Sequence, residues 1–308
     1  MIVALAGGVG AARFLQGLVR VVPQNRITII GNVGDDTEFY GLHVSPDLDI
    51  VAYTLADVVD PAKGWGFKNE TFHCQGMLQE YGYRTWFNLG DRDLGTHLYR
   101  TEQLRLGRRL STVTANIVTS LGLRVTLLPS SDDPFQTYVS TARGRMHFQE
   151  YMVKLQTKPR VNHVFFKGAE SAKPAPGVMD AIRKADGIII CPSNPIVSIG
   201  AILAVNGIRS ALRKTKARIV GISPIIGGKT VKGPADKLMK SLGVQPTALG
   251  VARFYSDFMD MLIIDRVDRK IAPRIRSLGM GAVVTQTLMK TMRDKVRLAQ
   301  TAISELKP

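Results

Sequence analysis

A short apolar run that breaks into glycines and resumes as a helical pattern dictates how this chain begins to fold. Met1-Ile2-Val3-Ala4-Leu5-Ala6 predicts a buried strand, and Gly7-Gly8-Val9-Gly10 predicts a tight turn. Ala11–Arg20 then predicts a helix with Phe14, Leu15, Leu18 and Val19 on one face. Such a junction aims free N–H groups and the positive end of a helix dipole at whatever sits above the turn. Glycine lets the backbone approach an anion that a Cβ would hold away. A phosphate-bearing ligand is therefore expected over Gly8, Gly10 and Ala11.

The turn matches neither common nucleotide fingerprint. No Gly-Lys-Ser/Thr follows four residues after a first glycine, and Arg13 stands where a dinucleotide fold needs its third glycine. Arg26–Gly31 predicts the second strand of a βαβ unit. Behind it Asn32-Val33-Gly34-Asp35-Asp36 offers two adjacent carboxylates, where an NAD enzyme would place one acid for a ribose. An NAD-linked oxidoreductase is disfavoured on both counts.

Further short, apolar strands are expected at Arg124–Leu128, Val161–Phe166, Gly187–Cys191, Arg218–Ser223 and Met261–Ile264. Helical patterns fall at Gly177–Ala185, Val197–Lys214, Pro234–Leu242 and Gln286–Glu305. The alternation predicts a Rossmann-like α/β fold: a mostly parallel sheet with helices on both faces. Residues 61–114 differ in character, with Trp65, Phe67, Phe72, Tyr81, Tyr83, Trp86 and Phe87 among helix-period stretches at Thr71–Glu80 and Glu102–Asn116. They predict a small, mostly helical insert in one domain spanning 1–308, the core being about 1–60 and 115–308. Tyr138–Thr141 and Met146–Phe148 flank Ala142-Arg143-Gly144-Arg145 as a hairpin.

The 308 residues are 45% hydrophobic, an ordinary share for a globular chain, and carry a formal charge of +16. The basic residues are spread along the chain rather than concentrated in a nucleic-acid motif, so polyanionic small molecules are the expected partners, and nucleic acid is not. Two cysteines and five scattered histidines predict neither disulfides nor a zinc site. The uncharged stretch Gly187–Ile208 is long enough for a bilayer, but Pro192-Ser193-Asn194-Pro195 interrupts it. A buried strand, a turn and a buried helix are expected there. No membrane association and no signal peptide are expected, and the expected location is the cytoplasm.

Ligands of open α/β sheets sit beyond the strand ends, so polar loops there carry the candidate chemistry. Asp35 and Asp36, Asp47 and Asp49 in Ser45–Asp49, and Asp91 and Asp93 in Asn88–Asp93 supply short carboxylates suited to Mg²⁺. For any single one of them, capping a helix or turn is the plainer role. Gly227-Gly228-Lys229, with Lys232, suits either a second phosphate or a solvated surface turn.

With these segments assembled, the chain resembles the 2-phospho-L-lactate transferase family of coenzyme F-420 biosynthesis. The resemblance rests on Ala6–Ala12, Asn32–Asp36, Ser45–Asp49, Leu89–Asp93, Ser131-Asp132-Asp133-Pro134, Cys191–Pro195 and Ser223–Gly228. None is specific alone; seven in this order are. It implies transfer of a phospholactate or phosphoenolpyruvate moiety from a guanosine diphosphate-activated donor to the deazariboflavin Fo, with Mg²⁺ and release of GMP, by a homodimer. By the same resemblance Asp49, Asp91 and Asp93 are the catalytic candidates, and Asp49, Asn88 and Arg92 contact the deazaflavin. Gly8, Gly10, Ala11, Arg13, Ser193, Asn194, Gly227, Gly228 and Lys229 contact the nucleotide, and Asp49, Asp35 and Asp36 hold the metal. Trp65, Trp86 or Phe87 would stack on the tricyclic ring, unless they form the insert's own core. The rival is a non-catalytic nucleotide-sugar-binding regulator of the same superfamily.

Overall fold

The computed structural model describes residues 1–231 and 233–307, so the expectation for Lys232 lies outside the described residues. Seven parallel strands form the central sheet: β1 (Ile2–Ala6), β2 (Ile27–Gly31), β3 (Thr126–Pro129), β4 (Gly187–Ile190), β5 (Arg218–Ile222), β6 (Met261–Asp265) and β7 (Gly281–Thr285). Their spatial order is β3-β2-β1-β4-β5-β6-β7. β1, β2 and β4 are almost wholly buried and nearly all apolar, as strands covered on both faces must be. The chain leaves β1 in one direction towards β2 and later returns on its other side as β4. The crevice beyond the carboxyl ends of β1 and β4 is thus the switch point of the sheet, where such folds bind ligands.

Helix α1 (Gly8–Leu18) follows β1 directly and buries Phe14, Leu15 and Leu18. Its other neighbour is far along the chain. The helix Met292–Glu305, held at its start by a Thr291–Asp294 capping box, packs along α1. A methyl at Gly17 would run into the backbone of Lys295, and the Lys295 ammonium bonds to Gln16. Helix α2 (Pro46–Leu55) packs mainly along α1 and also touches the edge strand β3. Three further helices, α3 (His73–Glu80), α4 (Asp91–Arg105) and α5 (Leu110–Ser120), form the aromatic-rich region. Phe39, Val44, Leu89 and Leu94 make a separate small core there with Trp86 and Phe87 packed against it.

Several expectations are corrected. Val161–Lys167 does not join the central sheet; it pairs antiparallel with Gln136–Thr141, which also pairs with Gly144–His147, in a three-stranded sheet. Its mostly exposed and half-buried pattern is that of a one-sided antiparallel strand. The helix expected over Val197–Lys214 is broken into Pro195–Ala204 and Ile208–Lys214, bent by 87°, with Gly207 left-handed at the second start. Glu102–Asn116 is likewise two helices, separated around the left-handed Gly107. β7 has no counterpart among the expected strands. Among the described residues no single helix is long and apolar enough to cross a membrane.

Candidate active site

The glycine turn and the acidic segments meet at one edge of the sheet. Gly7 is the extended N-cap of α1, and its N–H donates to Ser193 Oγ beyond β4 at 3.2 Å. Gly8, at φ +72°, needs the left-handed freedom of glycine to enter the helix. Gly10 lies so close to the Pro192 carbonyl that a side chain there must displace backbone. The start of α1 therefore packs directly against the loop that follows β4. Ser193 is buried within that loop, while Asn194 spends its amide oxygen capping Ile196 and Val197, at 3.0 and 3.4 Å.

Asn32, fully buried after β2, organises the acidic side. Its amide donates to Asp47 Oδ2 at 2.9 Å and to the Val197 carbonyl at 3.3 Å, and its oxygen accepts the Gly34 N–H at 2.8 Å. Asp47 also accepts from the backbone of Gly8, so a carboxylate already leans on the positive end of α1. Burial pushes its pKa up to about 6, with nearby Asp36 adding to the rise and the Asn32 and Gly8 bonds opposing it. Burial likewise raises Asp35 well above the usual carboxylate range, reinforced by Asp47 and Asp36. Asp36 is raised by burial too, against the pull of His43 Nε2 at 3.0 Å and the Ser45 hydroxyl at 2.7 Å. One oxygen each of Asp35 and Asp36 is buried without a hydrogen-bond partner. Three acids buried close together beside a helix N-terminus repel one another, and a cation would relieve that repulsion. Among the described residues no three His, Cys, Asp or Glu side chains converge on one point as a finished metal cage. A cation here would need ligand oxygens to complete its shell.

Asp47 and Asp49 were expected on a loop and lie instead in the first turn of α2, behind Pro46 at its start. From there Asp49 faces a second buried network. Arg100 on α4, 1% exposed, donates to Asp49 Oδ2 at 3.0 Å and to Oδ1, and lies 3.2 Å from His97 Nδ1. His97 Nε2 lies 3.3 Å from Asp93 Oδ1, which also accepts the Tyr53 hydroxyl at 2.8 Å. Both oxygens of Asp49 are thus taken by Arg100, and Asp93 by groups of the α2–α4 interface. Arg100, His97, Tyr53, His43 and Asn32 were not among the expected site residues. Asp93, His97 and Arg100 share one face of α4 by spacing alone, which was the available signal.

Other expected residues sit apart from this edge or carry structural bonds. Asp91 caps α3, accepting from the His73 and Cys74 N–H groups at 3.0 Å each and from the Thr71 hydroxyl, which holds its pKa below the usual range. Asn88 accepts from Gln75, and exposed Arg92 donates to the Lys68 carbonyl. Gly227 and Gly228, both left-handed, turn a two-residue hairpin between Ile225–Ile226 and Lys229–Thr230. The Gly227 N–H is bonded to Asp268 at 3.0 Å, and Lys229 is exposed. Arg13 is exposed one turn along α1 and lies near Lys295. Phe87 stacks on Phe39 at 4.1 Å with Trp86 edge-on at 5.2 Å, so both serve the insert's core.

Gly7 offers a direct check on this geometry. A methyl there would stand 2.6 Å from Asp47 Oδ2 and 2.7 Å from Ser198 Cβ. Gly7→Ala is expected to cost about 1–3 kcal/mol and to displace Asp47. A urea unfolding curve indistinguishable from that of the unaltered chain would contradict the contact.

Residues 2–300 match the family model described as 2-phospho-L-lactate transferase CofD. The chain is 45% identical over 310 residues to a phosphoenolpyruvate transferase of Kitasatospora aureofaciens, covering 98% of this chain and 97% of that one. It is 38% identical over 298 residues to a 2-phospho-L-lactate transferase of Methanosarcina mazei, covering 97% and 98%. Protein BH3568 of Bacillus halodurans shares the fold, with a TM-score of 0.65 at 19% identity over 98% of both chains.

Proposed function

The chain belongs to the 2-phospho-L-lactate transferase CofD family, transferases of coenzyme F-420 biosynthesis, and on that premise we propose the reaction it performs at the β1–β4 edge. The donor is a guanosine diphosphate-activated three-carbon acid, phospholactate or phosphoenolpyruvate. The acceptor is Fo. A ribityl hydroxyl of Fo attacks the phosphorus nearer the three-carbon acid, the bond from that phosphorus to the bridging oxygen breaks, and GMP leaves carrying that oxygen. The attacking hydroxyl gives up its proton to a carboxylate.

The observation that carries this reading is the pair of unpartnered, buried carboxylate oxygens on Asp35 and Asp36 close to Asp47, which itself lies against Gly7 and Gly8 at the start of α1. Diphosphate and cation need opposite partners within one small space, and this edge offers both. Asp35 and Asp36, with Asp47 beside them, would hold Mg²⁺, which would offset the negative charge of the phosphates. Asp49 was the foremost candidate from the family motif. Its bond to Arg100 suits it to fixing α2 against α4, so that Asp47 is presented to the glycine turn. Asp47, with a pKa near 6, is ionised at neutral pH and suited to accept the hydroxyl proton. Gly8, Gly10, Ala11 and Ser193 are proposed to cradle the diphosphate. Asn88 and Arg92 are proposed to face Fo.

The test mixes the protein with Fo, Mg²⁺ and each activated donor in separate reactions. GMP and a phosphodiester-linked deazaflavin are expected in equal amounts. Asp36→Asn is expected to lower turnover at least a hundredfold while donor binding falls far less, because one charged group at the reacting centre is typically worth several kcal/mol. No GMP with either donor, together with binding of UDP-sugars, would replace this reading with the regulatory one.

A further inference from the structure

A cleft of about 610 Å³ opens between the tip of the three-stranded sheet and the segment that leads into its last strand. Its walls are Ala142, Arg143, Lys154, Leu155, Lys158, Pro159, Arg160 and Asn162, none of which belongs to the β1–β4 edge. Four of these eight are cations. The surrounding stretch 142–167 holds six Lys or Arg and one acid, Glu150, so it is a concentrated part of the chain's positive charge. Glu150 bonds Lys154 at 2.7 Å. Among the described residues no carboxylate lies within ion-pair distance of Arg143, Lys158 or Arg160.

We propose that this cleft is a second anion site, one that takes a small molecule carrying two or more linked phosphates. Gathering unpaired cations around a concave space is unfavourable through mutual repulsion, and a multiply charged anion reverses the sign of that interaction. The cleft is within the size range of small-ligand pockets, and Leu155 and Pro159 give it an apolar wall. Nucleic acid is the other polyanion to consider. The adjoining sheet face carries Tyr138 and Phe165, but Lys167 lies over one ring at 6.0 Å and Arg145 over the other at 4.9 Å. Bases therefore have no bare aromatic platform to stack on, and recognition falls to the cleft.

The site also connects to the acidic edge. The strand Gln136–Thr141 bonds the acid loop at its start, Thr137 N–H to the Gly34 carbonyl at 2.6 Å and Gln136 to the Asp36 carbonyl at 3.4 Å. Its far end forms the hairpin tip at the cleft. An anion there grips one end of a strand whose other end supports Asp35 and Asp36.

The experiment titrates the full chain and the triple variant Arg143→Gln/Lys158→Gln/Arg160→Gln with inorganic tripolyphosphate by calorimetry. The number of sites is expected to fall by one in the variant, or the affinity of one site to fall about ten- to a hundredfold. That affinity is also expected to weaken several-fold between 50 and 200 mM salt, from roughly halving the screening length. Unchanged stoichiometry and affinity in the variant would overturn the proposal. Loss of oligonucleotide binding with tripolyphosphate binding intact would overturn it in favour of a nucleic-acid surface. Independently of the variant's folding, tripolyphosphate should protect Lys158 of the unaltered chain from acetylation; equal labelling with and without it counts against the site. The outcome does not depend on transfer to Fo, since a chain with no turnover at the glycine edge can still lose one site in the variant.

Discussion

Arg100→Met is expected to lower the unfolding free energy by about 3–5 kcal/mol, the cost of leaving one member of a buried ion pair without its partner. Arg100 is the bulkiest of the fully buried side chains among the described residues, and Asp49 is only 6% exposed. Methionine fills much of the volume, so the loss reports charge rather than a cavity. In the variant Asp49 faces Asp93 across His97 without the guanidinium. The double variant Asp49→Leu/Arg100→Met should recover most of the stability. Urea midpoints at pH 7.5 for the single and double variants check both statements. A loss below 1 kcal/mol at pH 7.5 would mean that the pair holds nothing together. Native domains keep a margin of only about 5–15 kcal/mol, so the single variant should also express poorly.

The second large effect has the opposite sign. Asp47→Asn is expected to stabilise the metal-free protein at neutral pH and to abolish turnover. The Asp47 pKa is raised in the fold from 3.8 to about 6. A raised acid binds its proton more tightly when folded, so its contribution is fully present below the ordinary value and is lost as the pH climbs through 6. The difference corresponds to about 3 kcal/mol at most, and relief of Asp35 adds in the same direction. Asparagine can still accept from Asn32 and Gly8 but carries no charge. The thermal midpoint of the variant should thus exceed that of the unaltered chain at pH 7.5 and match it near pH 4. Mg²⁺ should narrow the gap at pH 7.5 by stabilising the unaltered chain more. A variant less stable at pH 7.5 would show that burial does not strain Asp47.

What was legible in the chain follows the range of the forces involved. The strands Ile27–Gly31 and Gly187–Ile190 are read correctly because a strand covered on both faces is nearly all apolar, a property each residue displays alone. The glycine turn is legible for the same local reason. Val161–Lys167 shares the apolar look but takes its partners from a hairpin, and pairing is not written in a single run. Ser45–Asp49 reads as a loop because serine, proline and aspartate favour turns. The same three residues also open helices, and the start of α2 uses them so. The meeting of Asp47 with Gly7 and Asn32 joins segments far apart in the chain and needed the fold. So did the separation of Asp91, a cap, from Asp35 and Asp36, acids with an open oxygen.

The packing of α1 against Met292–Glu305 has a consequence for how the protein comes into being. The backing of α1, through the contact of Gln16 with Lys295, lies 279 residues downstream of it. A nascent chain therefore carries its glycine turn without this support until those 279 residues have been added. Fragments that stop short of Met292 should expose the apolar flank of α1 and be substrates for chaperones.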